Sequence, residues 1–417
     1  MVSLGCPKNL VDSEAILADF IKKGFKVIDE AAKADVVVVN TCAFIEDAKR
    51  ESIDTILDLI ELKKTGRIKK IIVAGCLPQR YEKVLRKEMS EIDIFHGVRD
   101  FSTSDPDSRL LITPKHYAYI KISEGCDNRC SYCVISKIRG PYKSRSMEAV
   151  LKEIDGIYRD SKGKLKEINL ISQDLTYYGM DLYGRLSLPG LLRKINRDIK
   201  WVRLLYAHPA HFTDELIEII KESPLICKYI DLPVQHISDK ILKLMGRKVT
   251  KKDILSLILK LRKNIPDIAI RSSLIVGLPG ETEKDFKELL AFIKDIKFER
   301  LGIFTYSREE DTPAYNFKHQ VNDKEKKRRL DEAMLLQQDI AKEVNASFMG
   351  KTLKTLIDEK QSDGVYIGRT YADAPEVDGV VYVKTRKPLS PGDFVDVKIT
   401  DTMEYDLVGS EIRGHNT

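Results

Sequence analysis

Long apolar runs are missing from these 417 residues: none reaches the roughly 18–20 residues that a membrane helix needs. The N-terminus also lacks the basic, apolar, then small-residue order of a secretory leader. The reading is a cytoplasmic protein with no membrane partner. A disulfide framework is excluded as well. The seven cysteines, at 6, 42, 76, 126, 130, 133 and 227, are odd in number and spread over more than half of the chain. Metal or cluster ligation suits such a set better. An excess of charge of one sign is also missing, and a net +6 at this length does not license a nucleic-acid reading. Internal repeats and low-complexity tracts are absent. Present are 43% hydrophobic residues, the content of a globular protein, in a chain long enough for two or three domains. The charged 32%, rich in Lys and Glu, fits a heat-adapted source or ordinary solvated helices.

Residues 1–98 alternate strand and helix. The run Val36-Val37-Val38-Val39 reads as a strand buried on both faces of a parallel sheet, and Lys70-Ile71-Ile72-Val73-Ala74 is similar. Helical patterns lie at about 11–23, 45–62 and 79–88. Residues 99–115, with Ser102, Ser104, Pro106, Ser108 and Pro114, read as a linker. From 116 to 346 the alternation resumes, with strands expected near 117–122, 167–172, 201–206, 228–232, 268–275 and 300–305. Six such units predict a partial version of the eight-fold barrel. From 347 to 417 short strands punctuated by Gly364, Gly379, Gly392 and Gly409 predict a small five-stranded, OB-like barrel. The chain is thus an α/β multidomain protein with an open parallel α/β domain, a partial barrel and a terminal β-barrel.

Cys126, Cys130 and Cys133 stand in Glu124-Gly125-Cys126-Asp127-Asn128-Arg129-Cys130-Ser131-Tyr132-Cys133, a C-x3-C-x2-C spacing. Three thiolates this close can hold three corners of a cubane iron–sulfur cluster. No fourth cysteine follows nearby, so one iron stays open for chemistry. The trio comes directly after the first barrel strand, on the face where such barrels place their active sites. Zinc is the rival occupant, with His116 as the fourth ligand, ten residues upstream. Cys6, Cys42 and Cys76 each follow a strand and precede a helix. The carboxyl ends of parallel strands form one ligand edge, so these three converge despite spacings of 36 and 34 residues. Three small buried residues at strand ends would explain the same placement.

The loop resembles that of the radical S-adenosylmethionine (SAM) enzymes, C-x3-C-x-aromatic-C, with Tyr132 at the aromatic position. The resemblance implies a 4Fe–4S cluster whose open iron chelates SAM, and reductive cleavage that releases methionine and a 5′-deoxyadenosyl radical. Together the three-cysteine domain, the radical barrel and the small terminal barrel look like the methylthiotransferases, whose last module is the TRAM domain. By that resemblance Cys6, Cys42 and Cys76 ligate a second 4Fe–4S cluster that handles the sulfur. Cys227 has no counterpart and is assigned as a buried thiol.

Two branches of that family compete. One modifies an adenosine of tRNA (the MiaB type), the other an aspartate of small-subunit ribosomal protein twelve (the RimO type). Three stretches resemble the second: Ser3-Leu4-Gly5-Cys6-Pro7-Lys8-Asn9, Asp231-Leu232-Pro233-Val234-Gln235-His236 and Asp373-Ala374-Pro375-Glu376-Val377-Asp378-Gly379. Residues 349–417 carry nine Lys and Arg against twelve Asp and Glu. An RNA-docking module should be basic, whereas an acidic one suits a basic ribosomal protein, alone or within the ribosome; an acidic surface kept for solubility is the plain alternative. A further class, a cluster-bearing RNA-binding protein without radical chemistry, is separated by 5′-deoxyadenosine formation.

The resemblance implies methylthiolation of the aspartate β-carbon with two SAM per turnover, one for the radical and one for the methyl group. A flavodoxin-type reductase and a sulfur donor complete the expected partners. Beyond the cysteines and Tyr132, the expected cofactor contacts are Gln173, Arg203, Arg271 and Gly277. Ion pairs inside the barrel would equally explain the arginines. The turn Gly277-Leu278-Pro279-Gly280-Glu281-Thr282 lacks the Lys-Ser/Thr of a phosphate loop, and Thr282 reads as a helix N-cap. His208 and His211 have the spacing of a metal pair but no acidic or cysteine partner accompanies them, so they read as structural or substrate-side. The basic stretches 137–145 and 240–263 read as solvated helix faces rather than docking patches. Met1 stands almost on the Ser3-Leu4-Gly5-Cys6 run, which makes the first strand short or incomplete.

Overall fold

The computed structural model describes residues 1–98, 109–195 and 198–412. The first unit comprises β1 (Val2–Ser3), α1 (Pro7–Lys22), β2 (Val36–Thr41), α2 (Glu46–Lys64), β3 (Lys70–Gly75), α3 (Cys76–Glu88) and β4 (Ile94–His96). The sheet is parallel in the order β1-β2-β3-β4. Val37, Val38 and Val39 of the valine run are buried, as a strand covered on both faces requires. Short as it is, β1 holds register, pairing Val2 with Val39 and Ser3 with Asn40. Strand β4 buries only Phe95 of its three residues, too weak a pattern to announce itself.

The second unit runs β5 (Tyr117–Lys121), β6 (Ser123–Glu124), α4 (Ile135–Arg139), β7 (Lys143–Ser144), α5 (Met147–Asp160), β8 (Glu167–Ile171), α6 (Met180–Tyr183), α7 (Leu188–Leu192), β9 (Trp201–Leu204), α8 (Asp214–Glu222), β10 (Ile226–Asp231), α9 (Asp239–Leu244), α10 (Lys251–Asn264), β11 (Ala269–Val276), α11 (Glu283–Ile296), β12 (Arg300–Thr305) and α12 (Asp323–Ala346). Six parallel strands lie in the order β5-β8-β9-β10-β11-β12, the partial barrel that the alternation predicts. Thr250 and Thr282 start α10 and α11 with capping boxes. The outer face of the sheet packs Ile120, Leu170, Leu204, Ile230 and Ile270 against the helices. Its inner face instead carries Tyr117, Tyr119, Lys121, Glu167, Arg203, Tyr229 and Arg271.

The third unit, β13 (Thr352–Ser362), β14 (Val365–Arg369), β15 (Val381–Lys384), β16 (Phe394–Thr402) and β17 (Leu407–Glu411), closes as β13-β14-β15-β17-β16. The segment between β14 and β15 enters the amino-terminal mouth of the larger barrel. Asp373 accepts from Arg300 Nε at 2.8 Å. The Glu376 carboxylate accepts from the hydroxyls of Tyr117 (3.1 Å) and Tyr119 (3.3 Å). Asp378 accepts from Tyr229 at 2.7 Å and pairs with Arg271 at 3.2 Å. Asp358 faces His116 at 2.8 Å, and Arg369 pairs with Glu167 at 2.8 Å.

These contacts correct the charge reading of the last module. Four of its twelve acids, Asp358, Asp373, Glu376 and Asp378, are engaged with the barrel, as is Arg369. Eight acids and eight basic residues remain, so its excess acidity belongs to an internal joint rather than to a docking face. Most of the expected linker, residues 99–108, lies outside the described residues. Arg109 is no spacer: it is bonded to Glu14 of α1 and Glu153 of α5, and donates to the Tyr119 carbonyl at 2.9 Å.

Candidate functional site

The loop bearing Cys126, Cys130 and Cys133 leaves the carboxyl edge of the barrel after β5. Strands β6 and β7 pair antiparallel and bracket it. Gly125 sits at the pinch with φ +74°, and a Cβ there would lie 2.0 Å from the Pro141 carbonyl oxygen. Both the conformation and the space demand glycine. The Ser131 N–H donates to the Met245 carbonyl (2.8 Å) and its hydroxyl to that of Leu244 (2.7 Å). Tyr132 packs half-buried on Ile241, Met245, Leu278, Tyr306 and Ala314. The aromatic position therefore anchors the loop to α9 and the far side of the barrel.

The three thiols of this loop are free and partly exposed. Burial, helped by nearby negative charge, pushes Cys126 up to about 11 and Cys133 up to about 12. Such thiols become ligands when a metal displaces their protons. Arg247 lies beside Cys130 and donates to the Pro233 carbonyl at 2.6 Å. Nothing in the sequence marks that arginine.

Cys6, Cys42 and Cys76 stand just past β1, β2 and β3 and lie within electrostatic reach of one another. The βα topology thus brings together residues that the sequence separates. Cys6 caps α1, and Cys76 opens α3. Gly5, at φ +84°, lets the chain pass Cys42: a Cβ there would meet Cys42 Cβ at 2.8 Å. Burial lifts Cys42, and lifts Cys76 to about 12. Burial also acts on Cys6, but Lys8 and Arg139 outweigh it and hold that thiol below its ordinary value.

Arg139 joins the two thiol sets. Its Nη2 donates to Cys76 Sγ at 3.8 Å and to the Asn9 side chain; its Nη1 donates to Glu124 at 3.0 Å and Asp12 at 3.1 Å. Lys121 bonds the same two acids, at 2.6 Å to Glu124. Burial alone would raise Glu124, but Lys121 and Arg139 hold it at about 2. Gln173 donates to Glu124 at 2.6 Å, so it supports the cluster loop through that carboxylate. At the outer side of the junction Arg80 donates to the Ala43 carbonyl (2.6 Å) and to Glu309 (2.9 Å), which also pairs with Lys49. Lys8 reaches the ring of Tyr206 on the barrel, and burial lowers its ammonium to about 8. The basic stretch 137–145, read as a solvated face, thus contains the buried Arg139.

Other expected residues lie elsewhere. Arg203 is wholly buried, bonded to Glu167 at 2.9 Å and to the Tyr371 carbonyl at 2.6 Å. Arg271 pairs with Asp231 at 3.0 Å and with Asp378. Both serve the joint with the terminal barrel, and the ion-pair alternative holds for them. Gly277 makes a turn at φ +79° against the stem of Lys326, and its N–H donates to the buried Glu281 at 2.6 Å. Cys227 is buried beside Arg203 in the joint. His208 and His211 do have an acidic partner after all. Asp174, 34 residues before His208, accepts from His211 Nδ1 and Asn128 Nδ2, each at 2.8 Å. Its other oxygen accepts from Thr176 Oγ1 at 2.8 Å and Tyr177 N–H at 3.2 Å. With all four bonds made, Asp174 is a hydrogen-bond hub between the cluster loop and His211.

Zinc fails on geometry. His116 is bonded to Asp358 at the amino end of β5, whereas the trio lies beyond its carboxyl end. Among the described residues only Asp174, His208 and His211 bring three ligand atoms within 4.8 Å of one another. The thiol trios are splayed wider than one zinc ion allows, since Zn–S bonds of about 2.3 Å place sulfurs about 3.8 Å apart. A cubane with iron at separate corners asks for the wider set.

A partial parallel barrel with a three-thiol loop at its carboxyl edge defines a radical SAM enzyme. The radical SAM superfamily profile matches residues 120–293, the uncharacterized protein family UPF0004 matches 1–97, and the TRAM domain matches 349–412. The chain is 49% identical over 435 residues to the ribosomal protein uS12 methylthiotransferase RimO of Caldanaerobacter subterraneus subsp. tengcongensis, covering 98% of both chains. It is 46% identical over 433 residues to the protein of that name from Clostridioides difficile, covering 98% of this chain and 97% of the relative. The chain belongs to the RimO family of radical SAM methylthiotransferases. An iron–sulfur cluster and SAM are accordingly its cofactors. Among solved structures, the radical SAM methyltransferase TsrM of Kitasatospora setae aligns with a TM-score of 0.50 at 14% identity, over 67% of this chain and 66% of that one. That likeness concerns the fold alone. No helix among the described residues is long and apolar enough to cross a membrane.

Proposed function

We propose that this enzyme methylthiolates the β-carbon of an aspartate in ribosomal protein uS12, free or within the ribosome, in the cytoplasm. The observation that carries the reading is Arg139, which contacts Cys76 of one thiol set and Glu124 beside the other. Cys126, Cys130 and Cys133 would hold the SAM-binding 4Fe–4S cluster, and Cys6, Cys42 and Cys76 a second one on the sulfur side. When bound, the clusters and SAM supply the carbon-centred radical chemistry that an unactivated C–H bond requires. Two SAM per turnover, one as radical source and one as methyl donor, a flavodoxin-type electron donor and a separate sulfur donor belong to the same proposal.

The protein's own part is positional. The β6–β7 ribbon and the Ser131 bonds fix the loop, while Lys121 and Arg139 neutralise Glu124 beneath it. Asp174 ties Asn128 of that loop to His211. The latch of Arg80, Glu309 and Lys49 holds the first unit against the barrel, so that sulfur and substrate carbon meet at one junction.

Anaerobic reconstitution tests the two-cluster reading. About eight irons per chain are expected, falling to about four when Cys126, Cys130 and Cys133 are replaced by Ala. Mass spectrometry of uS12 and of tRNA incubated with the enzyme tests the substrate. A methylthio adduct on tRNA alone overturns the assignment in favour of the adenosine branch.

A further inference from the structure

The loop between β12 and α12 ties the two thiol sets together a second time. Its first residues grip the opening unit. Glu309 is 1% exposed and fully engaged. One of its oxygens accepts from Arg80 Nη1 at 2.9 Å and Lys49 Nζ at 3.1 Å, the other from Ser307 Oγ at 2.7 Å. Arg80 stands one turn beyond Cys76 on α3 and also donates to the Ala43 carbonyl, next to Cys42, at 2.6 Å. Ser307 Oγ in turn accepts from the Glu46 N–H at 3.2 Å.

The same loop then reaches the radical loop. Thr312 donates to the Glu309 carbonyl from its hydroxyl at 2.7 Å and from its N–H at 3.3 Å. Pro313–Asn316 makes a 3-10 turn whose backbone the leading proline fixes. Ala314, wholly buried in the cluster that Tyr132 packs against, donates its N–H to the Ser131 carbonyl at 2.8 Å. Ser131 stands between Cys130 and Cys133. Gln320 Nε2 donates to the carbonyls of Ala314 and Phe317 at 3.2 and 3.0 Å, closing the loop on itself. The path from Arg80 through Glu309, Thr312 and Ala314 to Ser131 is therefore short and buried at both ends.

We infer that Glu309 is a positioning residue that couples radical formation to sulfur insertion. The inference deepens the proposed function and rests on it. Arg139 spans the junction beneath the radical loop, and the Glu309 latch spans its outer side. Substrate carbon and sulfur edge must meet while the radical lasts, and a misplacement of about 1 Å can cost about a hundredfold in rate. With the latch broken, the radical loop keeps its bonds from Ser131 to Leu244 and Met245. SAM cleavage then continues while capture at the first unit fails.

The test compares full-length wild type with Arg80→Met, Arg80→Lys and Glu309→Gln. Arg80→Met is the safer variant for folding, because Glu309 keeps Lys49 and Ser307 as partners. Hydrogen exchange on the chain before reconstitution reads the tie without the clusters. Peptides covering 309–316 should exchange at least about tenfold faster in Arg80→Met, while those of β8 and β9 keep their rates. After reconstitution each variant should hold about eight irons. Formation of 5′-deoxyadenosine should stay within about twofold of wild type, while methylthiolated uS12 falls at least about tenfold. Arg80→Lys should recover most of that loss. A parallel fall of both products overturns the inference, and so does an unchanged yield of methylthiolated uS12 or unchanged exchange at 309–316. Loss of iron overturns it as well, by making the latch a support for the thiol ligands. A wild-type chain that holds only about four irons, or modifies tRNA alone, defeats the proposed function itself and is recognised before any variant is made.

Discussion

Arg139 lies 3.8 Å from Cys76 Sγ through one guanidinium nitrogen and 3.0 Å from Glu124 through the other. One side chain from α4 thus touches the sulfur edge of the first sheet and the root of the radical loop. Its distance from Cys76 in the sequence is 63 residues, and no pattern in either segment announces the contact.

Arg139→Gln leaves Asp12 and Glu124 with only Lys121 for charge compensation. Removal of one partner from a buried ion-pair network costs about 3–5 kcal/mol. Chemical denaturation of the unreconstituted chain should show a loss of that order, and Arg139→Lys should recover part of it. A loss below about 1 kcal/mol would mean that the network is replaceable.

Glu124 gives the pH dependence. Its pKa is about 2 in the folded chain against 4.5 unfolded. A carboxylate with a depressed folded value stabilises fully above the unfolded value and loses that contribution as pH falls through the folded one. Between about pH 4.5 and 2 the denaturation midpoint of wild type should fall more steeply than that of Glu124→Gln. Parallel curves would refute the role given to Lys121 and Arg139.

Gly125→Ala places a methyl group 2.0 Å from the Pro141 carbonyl oxygen at a backbone φ of +74°. The loop must shift while the barrel core keeps its contacts. Reconstituted protein should therefore lose about half of its iron, with its circular dichroism unchanged. Full iron content in this variant would show that the loop accommodates the methyl group.

Asp373→Ala tests the joint between barrels. It strands Arg300, which is otherwise bonded to Asp373 at 2.8 and 2.5 Å. A destabilisation of about 3–5 kcal/mol is expected in chemical denaturation. The target residue of the uS12 substrate should stay the same, because the element acts as a plug and not as a recognition surface.

Cys227→Ala should leave the iron content at the wild-type level, since this thiol lies with Trp201, Tyr229 and Ala269 in the joint, away from both sets. Measured iron that falls with this variant would make it a ligand.

Much of this was legible in the sequence because it depends on neighbours along the chain. The C-x3-C-x2-C spacing, the buried valine run, the alternation of strands with helices and the glycine-punctuated last module are local patterns. Strand ends at one sheet edge bring Cys6, Cys42 and Cys76 together by topology alone, which is why widely spaced residues could be grouped correctly.

Other features required the tertiary structure. The acids of Asp373-Ala374-Pro375-Glu376-Val377-Asp378 looked like a surface charge until the fold turned them into the barrel. Arg203 and Arg271 could be placed on barrel strands, but their partners Glu167, Asp231 and the terminal module were named only by the fold. Asp174 joined His211, Arg247 came to lie beside Cys130, and Lys8 reached the ring of Tyr206 across the junction. The reason is the same in each case. A buried charge takes its meaning from whichever opposite charge the fold places within a few ångströms, and that neighbour is set by packing, not by spacing along the chain.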